Sequence, residues 1–288
     1  MRTRTAVLVA GALVATAACA RALHEPPPLT AIGPMSAPAA VEGAASAVAS
    51  SASAPAASPA EVDGLLRDAA AAFARRPGAG AVSGSLDLYL RAARADDVRV
   101  EGLLGAAAAS AWLIEHEADA SRRERVATEA VQICQWCVRR APARLECTYR
   151  LALAIGQQAR ERSSTALDGL KQMMPLLEQV IAGAPTLDAA GGHRVMALVL
   201  LRAPGWPTGP GDPDAALEHA RKADALVPDD ARNLLALAEA LAATDQPEEA
   251  RKTYARVESI AKASAAAGNP DATEWADTAA RALRTIKK

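Results

Sequence analysis

Apolar residues recur along most of the chain at the three-and-four spacing that lines one face of an α-helix, not at the strict alternation of a half-buried strand. The clearest stretch is 231–264, "ARNLLALAEALAATDQPEEARKTYARVESIAKAS". Leu234, Leu237, Ala238 and Leu241 form one apolar stripe, and Ala250, Tyr254 and Val257 form a second. Small residues at 238 and 250 let two such helices approach closely. Between them, Thr244 or Asp245 is placed to cap the turn, and Pro247 falls near the first helical position, where a missing amide costs nothing. The same reading predicts helices over 61–76, 83–95, 98–117, 121–140, 143–160, 165–183, 187–201, 213–226, 230–243, 246–265 and 271–286.

The pattern repeats. Pro142, Pro185 and Pro228 end three helices at intervals of 43 residues, and Pro270 follows 42 residues later. A fixed period of this size signals stacked helical hairpins. The stripes of 231–264 resemble the tetratricopeptide repeat of roughly 34 residues, and Ala216, Ala223 and Pro228 keep its second-helix spacing in the preceding unit. The fold class expected is all-α: a tetratricopeptide-like solenoid of helical hairpins behind a disordered N-terminal tether. In the last helix, Trp275, Ala279 and Leu283 share one face and read as a solenoid cap.

A period of 43 leaves about nine residues beyond the standard repeat. In the unit ending at Pro228 the excess is "RAPGWPTGPG", between the helix at 187–201 and a helix opened by Asp212 as N-cap with Pro213 at the first position. Prolines on both sides of Trp206 restrict this loop, which is expected to be ordered. The surrounding "GGHRVMALVLLRAPGWPTGPGDPDAALEHARKADALVPDDARNLLALAEAL" resembles the TatT components of tripartite ATP-independent periplasmic (TRAP) transporters. That resemblance, clearest over residues 188–243, implies a periplasmic lipoprotein whose partner is the transporter's solute-binding protein.

The first sixty residues follow another plan. "MRTRTAVLVAGALVATAACA" has Arg2 and Arg4, an apolar run over 6–14 and then small residues, the three parts of an export signal too short to span a bilayer well. "TAAC" resembles a bacterial lipobox, which implies lipidation of Cys19; an ordinary signal peptide cut after Ala17 or Ala18 is the alternative. Ala20 is not the Asp of an inner-membrane retention signal, so the expected address is the outer membrane, facing the periplasm. Residues 1–18 are then signal peptide, 19–59 a tether rich in Ala, Ser and Pro, and 60–288 the helical domain. As a flexible coil the tether would span about 35–40 Å.

Composition narrows the function. Half of the 288 residues are apolar, many of them Ala, and only 3% are aromatic, which argues against a large sheet. A net charge of −1 gives no electrostatic reason to expect nucleic acid. Cys134 and Cys137 have redox spacing, but they lie inside a predicted helix with no basic shell, and no nearby His completes a zinc site. The turn at "APA" brings Cys137 opposite Cys147, and in an oxidising compartment a Cys137–Cys147 disulfide is expected. His24, His116, His193 and His219 lack nucleophiles or paired carboxylates at a telling spacing. No enzyme, cofactor or metal site is expected.

Binding candidates are Trp206, His193, Arg194 and Arg202. Trp206 is expected to tuck inward and pin its loop, the alternative being a recognition residue exposed at the loop tip. His193 and Arg194 are expected to form a surface pair at a helix start, the alternative being a pair facing a ligand. Two functions fit: a lipid-anchored adaptor for another periplasmic protein, or a carrier holding a small apolar or amphipathic ligand between helices. Self-association is left open.

Overall fold

The computed structural model describes residues 26–32 and 58–286. Eleven α-helices lie among the described residues. The first four are α1 (Pro59–Phe73), α2 (Ala79–Ala95), α3 (Glu101–His116) and α4 (Ala120–Arg140). After them come α5 (Leu145–Glu161), α6 (Ala166–Gly183), α7 (Leu187–Arg202) and α8 (Pro213–Leu226). The chain closes with α9 (Ala231–Ala243), α10 (Pro247–Ala266) and α11 (Ala272–Thr285). None of the described helices is long and apolar enough to cross a membrane.

Local chemistry starts and stops these helices. Ser58 and Glu61 form a reciprocal capping box at α1. Asp119, Asp212 and Asp230 accept backbone amides at the starts of α4, α8 and α9. Proline occupies the first turn of α1, α8 and α10, where its fixed φ suits the helix. Pro142, Pro185, Pro228 and Pro270 fall in the turns after α4, α6, α8 and α10. One detail differs from expectation: Gln246, not Thr244 or Asp245, precedes α10. Thr244 instead donates its hydroxyl back to the Ala240 carbonyl, and Asp245 takes a left-handed φ of 57° to turn the chain.

Successive helices pack as antiparallel hairpins. Odd-numbered helices also lie side by side, α1 on α3, α3 on α5, α7 on α9 and α9 on α11, whereas no two even-numbered helices pack closely together. The touching row is therefore the concave side, and α2, α4, α6, α8 and α10 form the convex side. Alanines such as Ala106, Ala152, Ala238 and Ala250 are fully buried, so the hairpins close without bulky side chains. One core runs through α2 to α7, and a second spans α7 to α11. Trp275 and Leu283 of α11 lie on the second core around buried Ala279, closing its end.

Cys19 and the export signal lie outside the described residues, as does most of the expected tether. Within that tether, residues 26–32 depart from expectation: they are seated on the body, with Leu29 and Ile32 buried in the first core.

Candidate functional site

The side-by-side row is broken once. Between α5 and α7 the close packing seen elsewhere on the concave side is missing. The two helices are joined at their N-terminal ends and open towards their C-terminal ends.

The join is a buried polar cluster at the start of α7. Asp188, Ala189 and Ala190 all have left-handed backbone, with φ of 49°, 52° and 60°. Each such residue costs an L-amino acid roughly 1–2 kcal/mol, so the turn must be held from outside. Arg194 holds it: its Nη1 donates to the Asp188 and Ala189 carbonyls, each at 3.1 Å. Asn233 of α9 adds a third bond, from its Nδ2 to the Ala189 carbonyl at 2.9 Å. Arg194 Nη1 also reaches Asn233 Oδ1 at 2.9 Å, and its Nη2 pairs with Asp188 Oδ2 at 2.6 Å.

The Tyr149 hydroxyl of α5 donates to the same carboxylate oxygen at 2.8 Å, and Arg232 grips the other oxygen at 2.9 Å. Burial pushes the Asp188 carboxyl up, but Arg194, Arg232 and the donated hydrogen bonds outweigh it, holding the group below the ordinary carboxylate range. Gly191 is required here because any Cβ would collide with the Tyr149 hydroxyl. Arg194 is thus no surface residue. It is buried, and it ties α5, α7 and α9 together.

Beyond the join lies a cleft of about 410 Å³. Its walls are apolar, with Leu153 and Gly156 from α5, Leu170 and Met173 from α6, and Val195 and Val199 from α7. Gly156 leaves room for the Met173 sulfur, which would lie 2.7 Å from an added Cβ. The rim is charged but paired. Arg160 binds both carboxylate oxygens of Glu115 at 2.9 Å, Gln157 donates to Glu115 Oε1 at 3.1 Å, and Arg202 pairs with Glu239 at 2.9 Å. Arg202 therefore stands at the mouth of the cleft, at the end of α7 away from Arg194.

The inserted loop, residues 203–211, rises from that same rim; Ala203 and Pro204 line the cleft. Its backbone is braced by Gly211 N–H to Pro204 C=O at 2.8 Å, Thr208 N–H to Gly205 C=O at 3.1 Å and Asp212 N–H to Leu200 C=O at 2.9 Å. The loop is ordered without help from its tryptophan. Trp206 is 89% exposed, which corrects the expected inward ring. Backbone hydrogen bonds pin the loop, and the ring is left at its tip in water.

His193 is also buried, on the face of α7 turned to α8, where its Nδ1 lies 2.9 Å from Nδ1 of His219. One ring donates and the other accepts, which requires at least one neutral imidazole. Burial lowers the pKa of His193, with His219 and Lys222 adding to the effect. Burial and Lys222 likewise lower His219, against a weaker pull from Glu218 and Glu178. Histidines with folded pKa values below their unfolded ones leave the unfolded chain binding more protons as pH falls through about 6.5. The melting temperature is therefore expected to drop between pH 7 and pH 5, above the range where Asp188 titrates. His219→Asn should flatten that slope; an unchanged slope in thermal melts would show that the pair does not contribute.

Cys137 and Cys147 are joined in a disulfide across the α4–α5 turn, with Cα atoms 5.3 Å apart. Cys134 is free and buried, and burial pushes its thiol up to about 12, so it is neither a nucleophile nor a ready ligand. Among the described residues no group of three or more His, Cys, Asp and Glu side chains is placed to hold a metal. The structure thus brings Arg202 and Trp206 to one rim, and puts His193 and Arg194 inside the solenoid. No local sequence pattern showed that α5 and α7 part.

Comparison with known proteins fits this architecture. The tetratricopeptide repeat family matches residues 209–273, from the inserted loop through α10. A thermophilic tetratricopeptide protein of Thermus thermophilus superposes with a TM-score of 0.59 at 21% identity, covering 77% of this chain and 99% of that one. Two structures of MamA, one a double mutant, give TM-scores of 0.46 and 0.43 at 17% identity, covering 71% of this chain and 96% and 93% of theirs. No curated protein matches significantly. The chain is a tetratricopeptide-like helical repeat solenoid, and its residues 209–273 match the repeat family itself.

Proposed function

We propose that this chain is a lipid-anchored periplasmic adaptor that binds another protein at the rim shared by the α5–α7 cleft and the inserted loop. The observation that carries the reading is Trp206, 89% exposed on a loop braced by its own backbone. A large aromatic ring held in water on a rigid support is a ready anchor, because a partner need not immobilise it. The partner proposed is a periplasmic solute-binding protein of a TRAP transporter, on the resemblance of residues 188–243 to the TatT components. Cys19 supplies the membrane attachment through its lipid.

Trp206→Ala is expected to weaken partner binding by about 1–3 kcal/mol, roughly 5- to 150-fold. Its thermal melt should stay at the wild-type value, because the ring packs on nothing. The measurement is crosslinking and pull-down from membranes, with the captured protein identified and its affinity for both forms determined. Equal capture by both forms, or a loss of stability in place of affinity, would sink the assignment. In the same cells Cys19→Ser should move the protein from the membrane to the periplasmic fraction, and membrane retention without an acyl mass would refute the anchor.

A second reading rests on the cleft volume of about 410 Å³ and its apolar walls. Such a space suits a small amphipathic molecule. Mass spectrometry of the native protein purified from membranes separates the two readings: a stoichiometric small molecule favours the carrier, and a co-isolated protein favours the adaptor.

A further inference from the structure

Residues 26–32 sit on the convex side of the solenoid, not free in solvent. Arg94 of α2 clamps them by donating to two carbonyls, Leu29 at 2.9 Å and Ile32 at 2.7 Å. Trp136 of α4 donates its indole N–H to the Pro27 carbonyl at 2.8 Å. Leu29 and Ile32 are 7% and 2% exposed, packed into the core that holds α2 to α7. A polar hollow beside the segment is lined by Pro27, Ala31 and α4 residues including Ser121 and Gln132, which places the start of α4 close to the clamp.

The clamp changes the geometry of the anchor. Cys19 lies seven residues before Pro26. Seven residues span at most about 25 Å when fully extended. The residues between Ile32 and Ser58 come after the clamp, so their length has no bearing on how far the body stands from Cys19.

We infer that the clamped segment makes the lipid anchor a short leash, seating the convex side around α2 and α4 at the bilayer surface, within about 25 Å of the lipidated residue. The concave side and the α5–α7 cleft then lie on the opposite side of the solenoid, towards the aqueous space. This rests on the lipidation of Cys19 proposed above. The partner surface it names is the membrane itself, met by α2 and α4.

Insertions on either side of the clamp test it. The full-length lipidated protein carries a donor fluorophore at Ser121→Cys, a site reactive in the native state while Cys134 stays buried and Cys137 and Cys147 are bonded. It is reconstituted into phosphatidylethanolamine–phosphatidylglycerol vesicles with an acceptor on the lipid headgroup. A Gly-Ser insertion of about ten residues after Ala22 should raise the probe by roughly 10 Å and lower energy transfer. The same insertion after Ala45 should leave transfer at the value without an insertion.

Equal falls for both insertions would mean that the whole of 19–59 acts as one tether, and would overturn the inference. No fall for either would overturn it too, since the leash would then not set the height. Both results count in protein whose acyl mass on Cys19 is confirmed. Absence of that mass refutes the anchor first, and the short leash with it, so the two failures are told apart.

Discussion

Replacing Arg194 by Ala is expected to destabilise the solenoid by about 3–5 kcal/mol, the range for breaking a buried ion pair from one side. Three losses coincide. The Asp188 carboxylate keeps Arg232 and Tyr149 but loses its shortest partner, at 2.6 Å. The Asn233 side-chain oxygen, wholly buried, loses its donor. The carbonyls of Asp188 and Ala189 lose the bonds that hold three left-handed residues in place. For a domain of this size the melting temperature should fall on the order of 10 °C. Arg194→Lys keeps the charge but not the fork that reaches five acceptors, and should fall between wild type and Arg194→Ala. If Arg194→Ala melts with the wild type, the cluster does not hold the α5–α7 join.

Removing the disulfide is expected to have the next largest effect. Cys137 and Cys147 are separated by ten positions. Closing a loop of that size in the unfolded chain is worth about 2–3 kcal/mol in the chain-entropy account. The double variant Cys137→Ala with Cys147→Ala should lose that much in denaturant melts, and reductant should lower the midpoint of the wild type but not of the variant. A non-reducing peptide map should link Cys137 to Cys147 and leave Cys134 as a thiol that labels only after unfolding. A Cys134–Cys137 link, or a midpoint indifferent to reductant, would contradict the assignment.

How much was legible in the sequence follows from the distance over which each feature is decided. From α4 onward the helices were legible to within two residues, because their ends are set within a turn, whereas the ends of α1, α2 and α3 differ from expectation by up to four. Asp212 caps α8 by accepting amides two and three residues on, Pro213 fits the first turn, and the prolines after α4, α6, α8 and α10 stop what precedes them. The repeat period followed, because the same local signals recur.

The site was less legible because its residues are placed by partners far along the chain. Arg194 looks like a surface residue beside two glycines until Asn233, 39 positions on, and Tyr149, 45 positions back, are brought to it. His193 looks solitary until α8 turns His219 onto it. Trp206 was expected inside because a large ring gains most from burial. The loop's own backbone bonds hold its shape, and they leave the ring no wall to lie against.

The low-complexity stretch shows the same division. Its composition, Pro and Ala with scattered apolar residues, has too little to form a core of its own. Leu29 and Ile32 are buried because α2 and α4 supply the rest, through Arg94 62 positions from Ile32 and Trp136 109 positions from Pro27. The sequence by itself determined the helices, their order and their period, since capping, proline and apolar spacing act within a few residues. Only the tertiary structure decided that α5 and α7 part, which charges are buried, where Trp206 points and what the N-terminal segment lies against. Each of those depends on surfaces that exist only once distant helices have packed.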